Sequence, residues 1–316
     1  MPNWNDVLKE IGEASANSPV DVIRKKYLTE LGDYTNRNII AYYSGFLQKT
    51  APDAQAMGSI NDDDKNGFMN VIHGMDTSKG LDLIIHTPGG DIAAVESIVN
   101  YLHSKFGNDI RAIVPQMAMS AGTMLSCACK EIVMGKQSNL GPFDPQFGGI
   151  PAHGVLEEFE KAKREVLQNP AAAQFWQLVL HKYHPTFVGE CEKAISWASI
   201  IVKQWLMNVM FSGDPDAETK ADSVVSALNN HEDTFAHARH IHLAQIRELG
   251  LVVSELEDDQ NFQDLVLTVH HSYMHTLGGT TVMKAIENNT GRGVFWHANP
   301  QQFQPSVPMA VSQPFK

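Results

Sequence analysis

Cysteine is scarce: Cys127, Cys129 and Cys191 are the whole complement, too few for a disulfide framework. The Cys-x-Cys pair lies among Ala, Leu and Met, where buried thiols pack as small hydrophobes, and no second pair stands by to complete a zinc or redox centre. Long apolar runs are also missing. "LDLIIHTP" and "IRAIVPQMAM" fall far short of the roughly 18 to 20 residues that cross a bilayer, so no integral membrane segment is expected. The opening "MPNWNDVLKEIGEASANSP" has neither the basic start nor the apolar run of a secretory signal, which makes the cytoplasm the expected location. Positive charge is short as well: 24 Lys and Arg face 36 Asp and Glu, a net charge of −12. Nucleic acids and anionic membranes are held mainly by cations on phosphates, so neither is the expected partner. A small molecule or a peptide is easier to accommodate.

What is present is ordinary globular material, 43% hydrophobic and 19% charged, enough for one large core. Residues 4–32 carry helical spacing, and residues 1–35 read as a helical lead-in. "RNIIAYYSGFL" is β-rich, and "INDDDKNGFMNVIHGM" spaces its apolar residues as a helix behind an acidic start. Then comes the most legible stretch. "LDLIIH" is a short buried strand, "DIAAVESIVNYLHSKFG" a helix capped by Asp91 and closed by Gly107, "IRAIVPQ" a strand, "SAGTMLSCACK" a small-residue helix, and "EIVMG" a strand. That alternation predicts an α/β fold with a mainly parallel sheet and right-handed crossovers. A helical insertion is expected over about 155–210, within a main domain of residues 36–275; Trp197, Ile201 and Trp205 share one helical face there and read as core. "LGLVVSELEDD" supplies a short strand and "NFQDLVLTVHHSYMHTL" a last helix. From 276 to 316 the Gly, Asn, Gln and Pro content predicts a tail or contact arm.

Two motifs fall at successive strand ends of this sheet. "HTPGGD" (His86 to Asp91) follows one strand and "MAMSAGTML" (Met117 to Leu125) the next, the edge where an open parallel sheet exposes loops and helix N-terminal amides. Gly89 and Gly90 lack Cβ atoms, so their amides can turn outward toward a ligand. Ser120 opens a helix beside the Ala121 amide, where it is either an N-cap or a nucleophile whose oxyanion those amides would stabilise. The α/β-hydrolase elbow Gly-x-Ser-x-Gly is not matched, since Ala118 stands two residues before Ser120.

The blocks HTPGG, MSAGT and LGPFDPQ, in that order between Leu81 and Gln146, resemble the Clp-fold serine peptidases, most closely the serine dehydrogenase proteinase family, related to signal peptide peptidase A. The resemblance implies a ClpP/crotonase-like spiral of ββα units, usually assembled into homo-oligomers, that cuts peptide bonds with Ser120 as nucleophile and Gly89, Gly90 and Ala121 around the oxyanion, and needs no cofactor. The histidine base of ClpP has no match in "NLGPFDPQ". Relatives of signal peptide peptidase A use a lysine, and Lys161 falls about where theirs would; Lys163 and Lys203 are the further candidates. His86 and Asp144 are expected near the site. Two alternatives stay open: a crotonase-like acyl-CoA enzyme, which shares the fold without needing the serine, and an inactive oligomeric scaffold.

Fourteen histidines include the clusters "HARHIH" (237, 240, 242) and "HHSYMH" (270, 271, 275). Neither has the interleaved carboxylate of a metalloprotease motif, so no metal site is expected and a solvated or inter-subunit histidine face is the reading.

Overall fold

The computed structural model describes residues 4–16, 18–229 and 237–298. Two helices, α1 (Trp4–Glu13) and α2 (Pro19–Thr35), lead into β1 (Asn38–Ser44), and α3 (Pro52–Gly58) and α4 (Asp64–Ile72) follow. The crossover units are then β2 (Leu81–His86), α5 (Ile92–Phe106), β3 (Ile110–Val114), β4 (Met117–Ala118), α6 (Ala121–Cys127) and β5 (Glu131–Met134). Asp91 caps α5 by accepting from the Ala94 amide at 3.0 Å, and Gly107 ends it at φ +59°, as those residue types dictate.

Short strands β6 (Asn139–Leu140), β7 (Gln146–Phe147) and β8 (Ile150–Pro151) lead to three helices, α7 (Ala152–Gln168), α8 (Ala172–Leu180) and α9 (Phe187–Trp205), which occupy the stretch expected to be a helical insertion. A π turn (Leu206–Met210), α10 (Ala217–Asn229), β9 (Ile241–His242), α11 (Leu243–Glu248), β10 (Val253–Glu255) and α12 (Gln260–Gly279) come next, and β11 (Val282–Asn288) and β12 (Gly293–His297) close the described chain.

The central sheet has the order β10-β5-β3-β2-β1-β11-β12. Its first five strands are parallel; β11 and β12 are antiparallel. Side chains alternate across the strands, so the sheet has two buried faces. Ile40, Tyr42, Leu83, Ile85, Ala112 and Ile132 meet the layer of α4, α5, α6 and α9 on one. Ile39, Ala41, Tyr43, Ile84, Ile113 and Val133 meet α2 and α12 on the other, through Leu28, Leu31, Val266, Val269 and Leu277.

One expectation is corrected here. The segment from 276 does not start a tail: it completes α12 and then supplies β11 and β12, with β11 paired to the fully buried β1. Its polar residues disguise it, because their partners lie elsewhere in the chain. Lys284 pairs with Asp64 at 2.6 Å, Glu287 with Arg24 at 2.5 Å, and the Asn288 amide donates to Val71 O at 2.6 Å. The remainder of the expected tail, residues 299–316, lies outside the described residues.

All three cysteines are buried and unpaired; burial pushes the Cys127 thiol up to about 12 and Cys129 higher still.

Candidate active site

Ser120 sits between β4 and α6 at φ 52°, ψ −116°, a conformation that costs an L-residue about 1 to 3 kcal/mol and survives only where its surroundings impose it. They do. The Met119 amide donates to Thr87 O and the Thr87 amide to Met117 O, which ties the strand before the turn to the loop after β2, while the amides of Gly122, Thr123 and Met124 bond back to Met119 O and Ser120 O. The turn is thus of the sharp strand-to-helix kind that lifts a side chain clear of its backbone, although Ala118 stands where the hydrolase motif has glycine.

The Pro-Gly-Gly turn packs directly against it. A Cβ on Gly89 would stand 2.7 Å from both Met119 O and Ser120 Cβ, and one on Gly90 would run into the Ile60 backbone; only glycine allows either approach. Ile60 holds this turn as a strand would, its amide donating to Gly89 O at 2.8 Å and its carbonyl accepting from Asp91 N at 2.9 Å. The Gly89 amide is engaged by Thr87 Oγ1 at 3.2 Å, so of the three expected oxyanion donors it is the one already taken. Among the described residues, the Gly90 and Ala121 amides donate to no protein acceptor.

Both turns open into one cavity of about 690 Å³. Helix α9 closes it with Glu190, Lys193, Ala194 and Trp197, at the i, i+3, i+4 and i+7 positions of one face. Trp197, read as core, therefore lines the cavity, while Ile201 and Trp205 are buried among the core side chains. Met124, Phe143, Phe147 and Ile92 make much of the remaining wall apolar.

The same wall holds Asp144 and His237. The Asp144 side chain is fully buried, and its Oδ1 lies 2.8 Å from His237 Nδ1. A carboxylate accepts, so Nδ1 is the donor of this bond, and in the neutral imidazole that tautomer presents the Nε2 lone pair. His237 belongs to the cluster read as a solvated face; the structure turns it into the cavity instead. The separation in sequence, 93 residues, hid the pairing, and an aspartate in a Pro-Phe-Asp-Pro segment, Pro142 to Pro145, was the available signal.

The expected lysines are not brought there. Lys161 is exposed on α7 beside Trp176, in a separate hollow with Glu157, Glu158 and Arg164. Lys163 is solvated and paired with Glu160 at 2.6 Å. Lys203 lies between Asp222 and Glu218, which hold its ammonium above the ordinary lysine range, the wrong direction for a base. Lys193 reaches the cavity wall but is 76% exposed and paired with Glu190, so it lacks the desolvation a lysine base needs.

His86 is also corrected. As the third of the alternating residues Asp82, Ile84 and His86, it projects to the face opposite Ile85, among Tyr43, Phe46 and His270. Burial alone lowers its pKa to about 3, and neither ring nitrogen meets a partner among the described residues. His270, from the second cluster read as solvated, is buried beside it and bonded to the Tyr43 hydroxyl at 3.3 Å.

A mostly parallel sheet covered by helices on both faces defines a mixed α/β protein of ClpP-like architecture. The chain belongs to the ClpP-like SDH-type serine proteinases, whose family model matches residues 23–274. It is similar to two proteins of Methanocaldococcus jannaschii. One, "Uncharacterized protein MJ0137", is 28% identical over 254 residues, covering 80% of this chain and 79% of that protein. The other, "Uncharacterized protein MJ1495", is 29% identical over 195 residues, covering 62% of this chain and 59% of that protein. Among the described residues no helix is long and apolar enough to cross a membrane.

Proposed function

We propose that the chain hydrolyses peptide bonds through an acyl-enzyme on Ser120, with His237 as general base. The observation that carries the reading is the His237–Asp144 pair in the wall of the cavity that Ser120 enters. A serine hydroxyl is a weak nucleophile until a neighbour takes its proton. His237 Nε2 accepts that proton as Oγ adds to the scissile carbonyl; the tetrahedral intermediate then expels the amine, which leaves with the proton from the imidazolium. Water repeats the sequence on the ester and frees Ser120. Asp144 acts through His237, fixing the tautomer and stabilising the imidazolium. The Ala121 amide follows the serine and Gly90 lines the same cavity, neither amide donating to a protein acceptor among the described residues, and a lost oxyanion donor typically costs about 3 to 4 kcal/mol of transition-state stabilisation. The apolar wall from Met124, Phe143 and Trp197 suits a hydrophobic side chain beside the scissile bond.

Peptide hydrolysis and labelling by a fluorophosphonate test this directly. Ser120→Ala is expected to lose both, and His237→Ala and Asp144→Asn to lower hydrolysis by roughly 10³ to 10⁴. Lys161→Ala is expected to match wild type. Full hydrolysis by His237→Ala would remove the histidine from this role, and turnover by Ser120→Ala would remove the serine peptidase reading altogether.

A further inference from the structure

Behind the Pro-Gly-Gly turn lies a buried charge pair with no part in the chemistry above. Lys284 of β11 and Asp64 of α4 meet at 2.6 Å with both side chains at 0% exposure, and neither lines the cavity. Such a pair is weak evidence of a stability device, because desolvation offsets most of its attraction and apolar residues of similar volume often do as well. What distinguishes this one is where its remaining hydrogen bonds go. Lys284 Nζ donates to Ser59 O at 3.0 Å. Asp64 Oδ2 accepts from the Asn61 amide at 3.0 Å and from the Tyr42 hydroxyl at 2.8 Å. Ser59 and Asn61 flank Ile60, the residue whose backbone holds Gly89 O and Asp91 N. Main-chain groups on both sides of Ile60, and the loop after β2, are thereby fixed to one pair of buried charges.

We infer that Lys284 and Asp64 are positioning residues for the oxyanion turn: together they clamp Ser59–Asn61, and through Ile60 they set where the Gly90 amide points. The inference rests on the peptidase reading for its catalytic consequence, and on the hydrogen bonds alone for the clamp. Lys284 also lies over the ring of Trp296, its register partner on β12, 5.3 Å from the ring centre. A displacement of well under an ångström at an oxyanion donor weakens stabilisation of the transition state while leaving substrate contacts on the other walls in place.

The test compares wild type, Lys284→Met and the double variant Lys284→Met/Asp64→Leu, which removes both charges and restores an apolar fit. The single variant is expected to melt earlier because Asp64 is left buried without its cation. The double variant is expected to recover most of that loss, yet to keep a kcat at least about tenfold below wild type with KM little changed. Amide hydrogen exchange supplies a readout independent of activity: in the double variant the Ile60 and Asp91 amides are expected to lose protection while the β2 and β3 amides keep theirs. A stable double variant with wild-type kcat and wild-type protection at Ile60 would overturn the inference. A wild-type chain that neither takes fluorophosphonate nor cleaves peptide would sink the peptidase reading instead, and exchange at Ile60 and Asp91 would still decide the clamp.

Discussion

Ser120 carries its strain in the backbone, which separates its contribution to folding from its contribution to reactivity. Glycine adopts φ 52°, ψ −116° with little cost, so Ser120→Gly is expected to raise the unfolding free energy by about 1 kcal/mol while removing the proposed nucleophile. A denaturant titration showing Ser120→Gly less stable than wild type would mean that the turn is not under the stress its angles imply. The same residue shows what a lone chain of letters can convey. Small neighbours and a strand-end position made Ser120 readable as a candidate. His237 was not readable as a candidate base, since the histidine sits amid other histidines and meets Asp144 across a sequence separation of 93. Lysine was the base the resemblance implied, with Lys161 about where the relatives' lysine falls, but position along α7 says nothing about which way that helix faces, and Lys161 faces out.

Among the elements, β2 was the easiest to recognise and its last residue the easiest to misplace. A continuous apolar run identifies a strand buried on both faces without saying which residue points where; register with β1, Tyr43 opposite His86, decides it. His86 consequently lies in an apolar layer between β1 and α12, with its pKa lowered to about 3 by burial, and His270 is depressed by burial and by the neighbouring His86 and His271. Lowering the pH from 6.5 protonates these histidines in the unfolded chain first, so stability falls as pH drops from about 6.5 toward 3. For His86 alone the loss by pH 5 is on the order of 1 to 2 kcal/mol. His86→Phe keeps an aromatic ring in place and is expected to flatten that slope. Equal losses between pH 7 and pH 5 for the two chains, measured by denaturant midpoints, would refute the assignment. The legible rhythm from Leu81 to Met134 contrasts with β11, where "VMKAIEN" conceals a central strand because three of its seven residues are polar and find their partners on α4, α2 and the end of α4.

At the scale of the whole molecule, the sheet is built from both ends of the chain. Helix α2 covers β1 and packs against α12, Arg24 of α2 reaches Glu287 of β11 at 2.5 Å, and Tyr273 of α12 donates to the same carboxylate at 2.9 Å. Removing one member of so buried a network is expected to leave an uncompensated charge and to destabilise by about 3 to 5 kcal/mol, as Arg24→Met would show in a thermal melt; a melt unchanged by that substitution would mean the network is dispensable. The position of β11 has a further consequence in time. A nascent chain emerges from the ribosome in order, and Ser120, the Gly-Gly turn and His237 all precede Lys284, the cation that completes the hold on Ser59. On the proposed reading, newly made chains therefore pass through a stage in which Ser120 and His237 have been synthesised but the strand that steadies the oxyanion turn has not, so competence to cut arrives late, together with the closing of the sheet.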